Sequence, residues 1–341
     1  MSLQVDIRKH LPGFSLEVSF DTAGEWQGVL GASGCGKSMT LKMIAGIVTP
    51  DEGRIVLGDR ILFDSERRID LRPQQRSVGY LFQNYALFPS MTVRENILCG
   101  VRDGETKRVD ELMETLELAP LAGRYPSQLS GGQQQRAALA RCLAGKPEAM
   151  LLDEPFSALD EYLKERLQQD IKRILSAYPG EVILVSHNRD EVYRFCKRIA
   201  ILDDGHVVAA GDLQEVFDDP RQVTAARLSG CKNISGAQKM GPHRVKALDW
   251  GLELETERTV PDDLGFIGIR AHDIEAGGGK NRVPVSVLEV REELFETNVI
   301  FASGRGELWW KLARDDWRRD HLDHVPQYIS LPPDKIMLLS K

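Results

Sequence analysis

Apolar and polar residues alternate over residues 3–20, with Leu16, Val18 and Phe20 on one face, the pattern of a two-stranded hairpin. The alternation then gives way to short continuous apolar runs at 26–30, 77–82, 149–152 and 182–185, as expected of strands buried on both faces. Helical patterns lie between them at 39–47, 92–118 and 133–144. Further on, Leu163, Leu167, Ile171, Ile174 and Leu175 share one helical face. The turn signal Pro50-Asp51-Glu52-Gly53 introduces one more strand at 54–58. Strands alternating with helices predict an α/β domain with a largely parallel sheet covered on both faces. Near Ser229 the pattern changes. Short alternating stretches follow at 244–248, 266–270, 283–290, 298–302, 308–312 and 335–339, separated by Gly, Pro and paired Asp. They predict a small all-β barrel of the oligomer-binding type over 230–341, after an α/β domain over 1–229.

Composition agrees with this division. A chain of 341 residues is long for one domain, and 42% hydrophobic residues suffice for packed cores. The formal charge of -7 argues against a nucleic-acid binder and for a soluble acidic protein. No apolar run approaches the ~20 residues that cross a bilayer, and residues 1–20 carry charges throughout, so export is not expected. Cys35, Cys99, Cys142, Cys196 and Cys231 are scattered without pairing or zinc spacing, which suits a reducing cytoplasm.

The chemistry is concentrated in a few motifs. Gly31-Ala32-Ser33-Gly34-Cys35-Gly36-Lys37-Ser38 fits G-x-x-x-x-G-K-[ST] between a buried strand and the helix that continues through Met39. Small residues let the backbone N–H groups curl into an anion nest at a helix N-terminus. Lys37 supplies a mobile charge for the β- and γ-phosphates, and the Ser38 hydroxyl is placed to ligate Mg²⁺. Cys35 inside the loop reads as a small filler. Asp153 ends an apolar strand, where a carboxylate holds Mg²⁺, and Glu154 behind it is placed as general base or water positioner. His187 and Gln83 end other strands at the same edge, where ligands bind parallel sheets. Leu129-Ser130-Gly131-Gly132-Gln133 opens another helix with exposed N–H groups, a second phosphate site. One nucleotide cannot easily use both within one chain. The economical arrangement is a head-to-tail dimer with two ATP molecules between loop and signature.

Together these motifs, with the Ser157-Ala158-Leu159-Asp160 turn, resemble the ATPase subunit of an ABC transporter over residues 1 to 230. The resemblance implies a P-loop NTPase cassette with a helical subdomain, using ATP and Mg²⁺. It assigns ATP contacts to Gly31, Ala32, Ser33, Gly34, Cys35, Gly36, Lys37, Ser38 and Met39, and Mg²⁺ to Ser38, Gln83 and Asp153. It assigns catalysis to Lys37, Glu154 and His187. Leu129, Ser130, Gly131, Gly132 and Gln133 would meet the partner's nucleotide, and Asp160 would cross the dimer interface. Partners implied are a second copy, membrane permease subunits and, indirectly, a solute-binding protein, at the cytoplasmic face of the membrane. The usual adenine-stacking aromatic is replaced by Leu11, with Phe14 three residues on, so that contact stays unassigned. A chromosome or repair ATPase would carry a coiled-coil or zinc insertion, a translation factor two cassettes, and a non-catalytic module would lack Glu154 or His187.

Residues 229–235 and 266–274 resemble the accessory barrel of importer ATPases, most of all the molybdate, tungstate and sulfate group. The usual Arg-Pro-Glu of that barrel is here Arg270-Ala271-His272. Lys232, Arg270 and His272 are candidate oxyanion contacts, against a barrel that only dimerises. Polyamine, iron and sugar import are the alternatives.

Overall fold

The computed structural model describes residues 1–101, 106–157, 161–176, 178–320 and 325–340; the side chains of residues 161–163 and 166 lie outside the description. The chain divides into two compact units, Met1–Leu213 and Gln214–Lys341.

The first unit is built on one eleven-stranded sheet. In chain order its elements are β1 (Leu3–Leu11), β2 (Phe14–Asp21), β3 (Gln27–Gly31), α1 (Lys37–Ile44), β4 (Glu52–Leu57), β5 (Arg60–Asp64), β6 (Ile69–Asp70), β7 (Val78–Leu81), α2 (Val93–Leu98), α3 (Thr106–Thr115), α4 (Gly131–Ala144), β8 (Ala149–Asp153), α5 (Glu161–Ser176), β9 (Glu181–Ser186), α6 (Arg189–Phe195), β10 (Arg198–Asp203) and β11 (His206–Asp212). The strand order is β6-β5-β4-β1-β2-β11-β10-β3-β9-β8-β7. The parallel pairing expected of alternating strands and helices holds over β10-β3-β9-β8-β7. The hairpins β1–β2, β4–β5 and β10–β11 have turns too short for a crossover and so pair antiparallel, making the sheet mixed. Residues of β3, β8 and β9 are buried throughout, because helices cover both faces there.

The helical stretch predicted at 92–118 is two helices, α2 and α3. Thr92 caps α2 through Glu95, which fixes its start. Helix α1 ends at Ile44 rather than Ile47, where Gly46 takes a left-handed φ of 77°. The buried Arg76 closes that end, donating to Met43 O and Ile44 O at 2.7 and 2.9 Å. On α5, Leu167, Ile171 and Leu175 are buried as their spacing predicts.

The boundary falls at the first residue of α7 (Leu213–Asp218), so the rest of α7 and α8 (Val223–Leu228) lie in the second unit, ahead of the pattern change at Ser229. Ser340, one residue beyond the last strand, ties the start of α8 to this unit: Val223 N–H donates to Ser340 O at 3.0 Å and Ser340 N–H to Arg221 O at 2.8 Å. Its strands form three sheets: one of five strands, running from Leu252–Glu255 through Arg244–Ala247, Asn233–Gly241 and Phe266–Ile269 to Met337–Leu339, and two of three strands. One core of Val245, Trp250, Ile329, Phe301 and Trp310 draws on all three.

Candidate nucleotide site

The site lies where the parallel strands end. β3 runs into a loop whose geometry only small residues permit. A Cβ on Gly31 would come within 2.3 Å of Leu202 O, and Gly36, at φ 107°, would meet the Leu16 side chain. The first intrahelical bond of α1 is Thr40 N–H to Gly36 O at 2.9 Å, so the N–H groups of Lys37, Ser38 and Met39 have no partner within the helix. Ala32, Ser33 and Gly34 are exposed at the mouth of this nest. Lys37 is only 4% exposed; its Nζ donates to Gly31 O at 2.9 Å and Ala32 O at 2.8 Å and lies 4.0 Å from Glu154 Oε1. These carbonyls hold the ammonium across the loop, where phosphate oxygens would compete for it. The Cys35 thiol is buried, and that burial pushes its pKa up against the pull of Lys37, in keeping with a filler.

Asp153 ends β8 and is 5% exposed. Ser38 Oγ donates to Asp153 Oδ1 at 2.7 Å, and Tyr80, from β7, donates its phenol to Oδ2 at 2.8 Å. A hydroxyl and a carboxylate brought together at a phosphate-binding loop are hard oxygen donors that fit Mg²⁺, which takes few protein ligands beside phosphate and water. Gln83 is not joined to this pair: its Nε2 donates to Ser157 Oγ at 3.3 Å.

Glu154 follows Asp153 at φ 44°, a conformation that turns it away from the strand direction. Its N–H is tied to Val185 O at 3.0 Å, and its Oε2 lies 3.1 Å from Nδ1 of His187, one residue beyond β9. The loop carrying His187 is fixed from behind. Asn188 caps α6, Ser186 Oγ donates to Glu191 Oε2 at 2.5 Å, and Lys164 Nζ pairs with Glu191 Oε1 at 2.7 Å.

Ser130 caps α4 reciprocally with Gln133, whose Oε1 accepts from Ser130 N–H at 2.9 Å. Leu129 is buried, Ser130 is exposed, and Gly131 and Gly132 form the first turn. Among the described residues, no hydrogen bond or ion pair joins residues 129–133 to the loop at 31–38. Asp160 lies outside the described residues. Phe14, not Leu11, stands beside the loop: its ring would lie 3.4 Å from a Cβ on Gly36.

The sequence pattern did not single out Tyr80 or Arg141. Arg141 on α4 donates to Tyr85 O at 3.0 Å and Ala86 O at 2.7 Å, fixing the loop after Gln83 at two residues of positive φ. No motif marks either side chain; each is defined only by what its neighbouring element presents. In the second unit the three oxyanion candidates are spent separately. Arg270 donates to Phe217 O and Ser229 O, holding α7 and α8; Lys232 lies 4.3 Å from the Trp309 ring centroid; exposed His272 neighbours Asp273. Among the described residues, no hydrogen bond or ion pair joins these three side chains to one another.

The ABC transporter family matches residues 15–157. The spermidine/putrescine import ATP-binding protein PotA of Oleidesulfovibrio alaskensis is 38% identical over 62% of this chain, and the match spans only 57% of that relative's length. The molybdenum import ATP-binding protein ModC of Paramagnetospirillum magneticum is 37% identical over 91% of both chains. This chain belongs to the ABC transporter ATP-binding family. As an ABC cassette it also resembles the dimeric cassette MJ0796, bound to ADP and Pi in a post-hydrolysis state. That similarity covers 62% of this chain and 99% of the other at 31% identity and a TM-score of 0.52. The ABC cassette accounts for the first unit; the alignment with ModC continues through the second.

Proposed function

We propose that this chain is the ATP-hydrolysing subunit of an importer, working as a head-to-tail homodimer under membrane permease subunits at the cytoplasmic face. The observation that carries this is the convergence at one sheet edge of a phosphate nest, the Ser38–Asp153 pair and the Glu154–His187 pair. The nest and Lys37 orient the γ-phosphate. Glu154 takes up the attacking water and its proton, and His187 holds the Glu154 carboxylate in position. Ser38 and Asp153, with Gln83 as a further ligand, would hold Mg²⁺, which would supply charge neutralisation to the bound phosphates. The signature at 129–133 serves the nucleotide of the second copy, which is why it stands apart from the loop of its own chain. Molybdate, tungstate or sulfate is the cargo class, delivered by a solute-binding protein. The support is that the similarity to ModC of Paramagnetospirillum magneticum covers 91% of this chain and that to the sulfate/thiosulfate import protein CysA of Caulobacter vibrioides 83%, against 62–74% for the PotA relatives.

Glu154→Gln tests the chemistry. It keeps shape and removes the base, so ATP binding persists while turnover falls by ~10²–10⁴-fold. Wild-type turnover in this variant removes Glu154 from the mechanism. The same protein tests assembly by light scattering. ATP bound between facing copies drives association by mass action, so dimers form with ATP and dissociate without it. Monomers at micromolar protein and saturating ATP contradict the sandwich.

A further inference from the structure

Tyr80 is the third residue of β7, and Asp153 the last of the parallel neighbour β8, with Tyr80 in register with Leu151. Its side chain reaches along the sheet to the metal carboxylate. The ring is buried and lies against Phe82, with centroids 4.3 Å apart. The phenol donates to Asp153 Oδ2 at 2.8 Å while Ser38 donates to Oδ1 at 2.7 Å, so each carboxylate oxygen has its own donor. A carboxylate turns freely about its last torsion unless its oxygens are held, since that torsion is broad. The two donors fix its plane, and the Tyr80 bond is the one that uses no atom of the phosphate loop.

We propose that Tyr80 is a positioning residue for Mg²⁺: by holding Asp153 Oδ2 it keeps Oδ1 toward Ser38, and so sets how strongly Mg²⁺ tightens nucleotide binding. Tyr80 does not touch the metal or the nucleotide. The inference rests on the ATPase reading, and the test separates the two.

The experiment uses the full chain carrying Glu154→Gln, with and without Tyr80→Phe. ATP binding is measured by calorimetry, once in EDTA and once in excess Mg²⁺. In EDTA the two proteins bind alike, because the nest and Lys37 are untouched. The tightening produced by Mg²⁺ falls about 10-fold in Tyr80→Phe, within the ~10–100-fold range for residues that orient metal ligands. Tyr80→Met, equally without a donor, gives the same split and stands in should the first variant not fold. In an Asp153→Asn background, Tyr80→Phe has no further effect. Undiminished Mg²⁺ tightening in folded Tyr80→Phe overturns the proposal. So does an equal loss in EDTA and Mg²⁺, which marks a packing role alone. Failure of the parent protein to bind ATP in either condition would instead overturn the ATPase reading.

Discussion

Single side chains in the first unit do two kinds of work. Lys37, Ser38 and Glu154 line the candidate nucleotide site, while others hold the backbone beneath it. Glu181 is one of the latter. It opens β9, is 4% exposed, and its Oε2 accepts from Thr22 Oγ1 at 2.6 Å, while Thr22 in turn accepts from Leu3 N–H at 2.8 Å. Burial raises its pKa above the ordinary glutamate value, and the Thr22 bond only partly offsets this. The folded chain therefore binds this proton more tightly than the unfolded chain. The contribution of Glu181 to stability is greatest below about pH 4, near the unfolded value, and is lost as pH rises through the higher folded value. Glu181→Gln abolishes that loss. Thermal unfolding should show the variant gaining on wild type as pH rises from about 4 to 7. A difference independent of pH, or one that shrinks toward neutrality, contradicts the assignment.

Among the elements, α1 carries the most consequence, because its N-terminus is the phosphate nest. Its other end is held by Arg76, which is fully buried and donates to Met43 O, Ile44 O, Leu71 O and the Asp70 carboxylate. Burial lowers the guanidinium pKa, with Asp70 working in the opposite direction. Arg76→Met keeps the apolar stem and leaves buried carbonyls without donors, at ~1–3 kcal/mol for each group left unsatisfied. A loss of roughly 2–4 kcal/mol in urea unfolding is the expected outcome. A change within about 0.5 kcal/mol, as surface substitutions give, would show that the helix end is closed by other means. The helical pattern was legible over 39–47. Its stop was not, because a buried arginine 32 residues beyond Ile44 leaves no local trace.

For the whole molecule, the nucleotide-site residues lie in the first unit, and the second is built separately around its own core. In the second unit, Lys232 lies over the Trp309 ring, Arg270 donates to Phe217 O and Ser229 O, and His272 neighbours Asp273. In the proposed importer, cargo selection is assigned to the membrane and solute-binding subunits. Reconstituted with them in vesicles, the ATPase should be stimulated by molybdate- or tungstate-loaded binding protein. Stimulation only by a polyamine- or sugar-loaded receptor would sink the oxyanion assignment and leave hydrolysis by the first unit intact.

Local sequence determined the elements and much of the chemistry. The glycines at 31, 34 and 36, the apolar runs that became β3, β8 and β9, and the Ser130–Gln133 capping pair all act through backbone sterics and spacing within a few residues. The strand ends carrying Asp153 and His187 could be read the same way. Tertiary structure decided which of these meet. Ser38 and Asp153 are 115 residues apart, and Tyr80 and Asp153 are 73 apart, yet each pair shares a hydrogen bond because strand order puts β7 and β3 on the two sides of the β8–β9 pair. It also decided that Gln83 rests on Ser157, that Arg270 donates to Phe217 O and Ser229 O, and that α8 and all but the first residue of α7 lie with the second unit. The physical reason is one of range. Propensity and capping act over a turn or two of chain, whereas a polar side chain's partner is whatever donor or acceptor the packed sheet brings within about 3 Å of it.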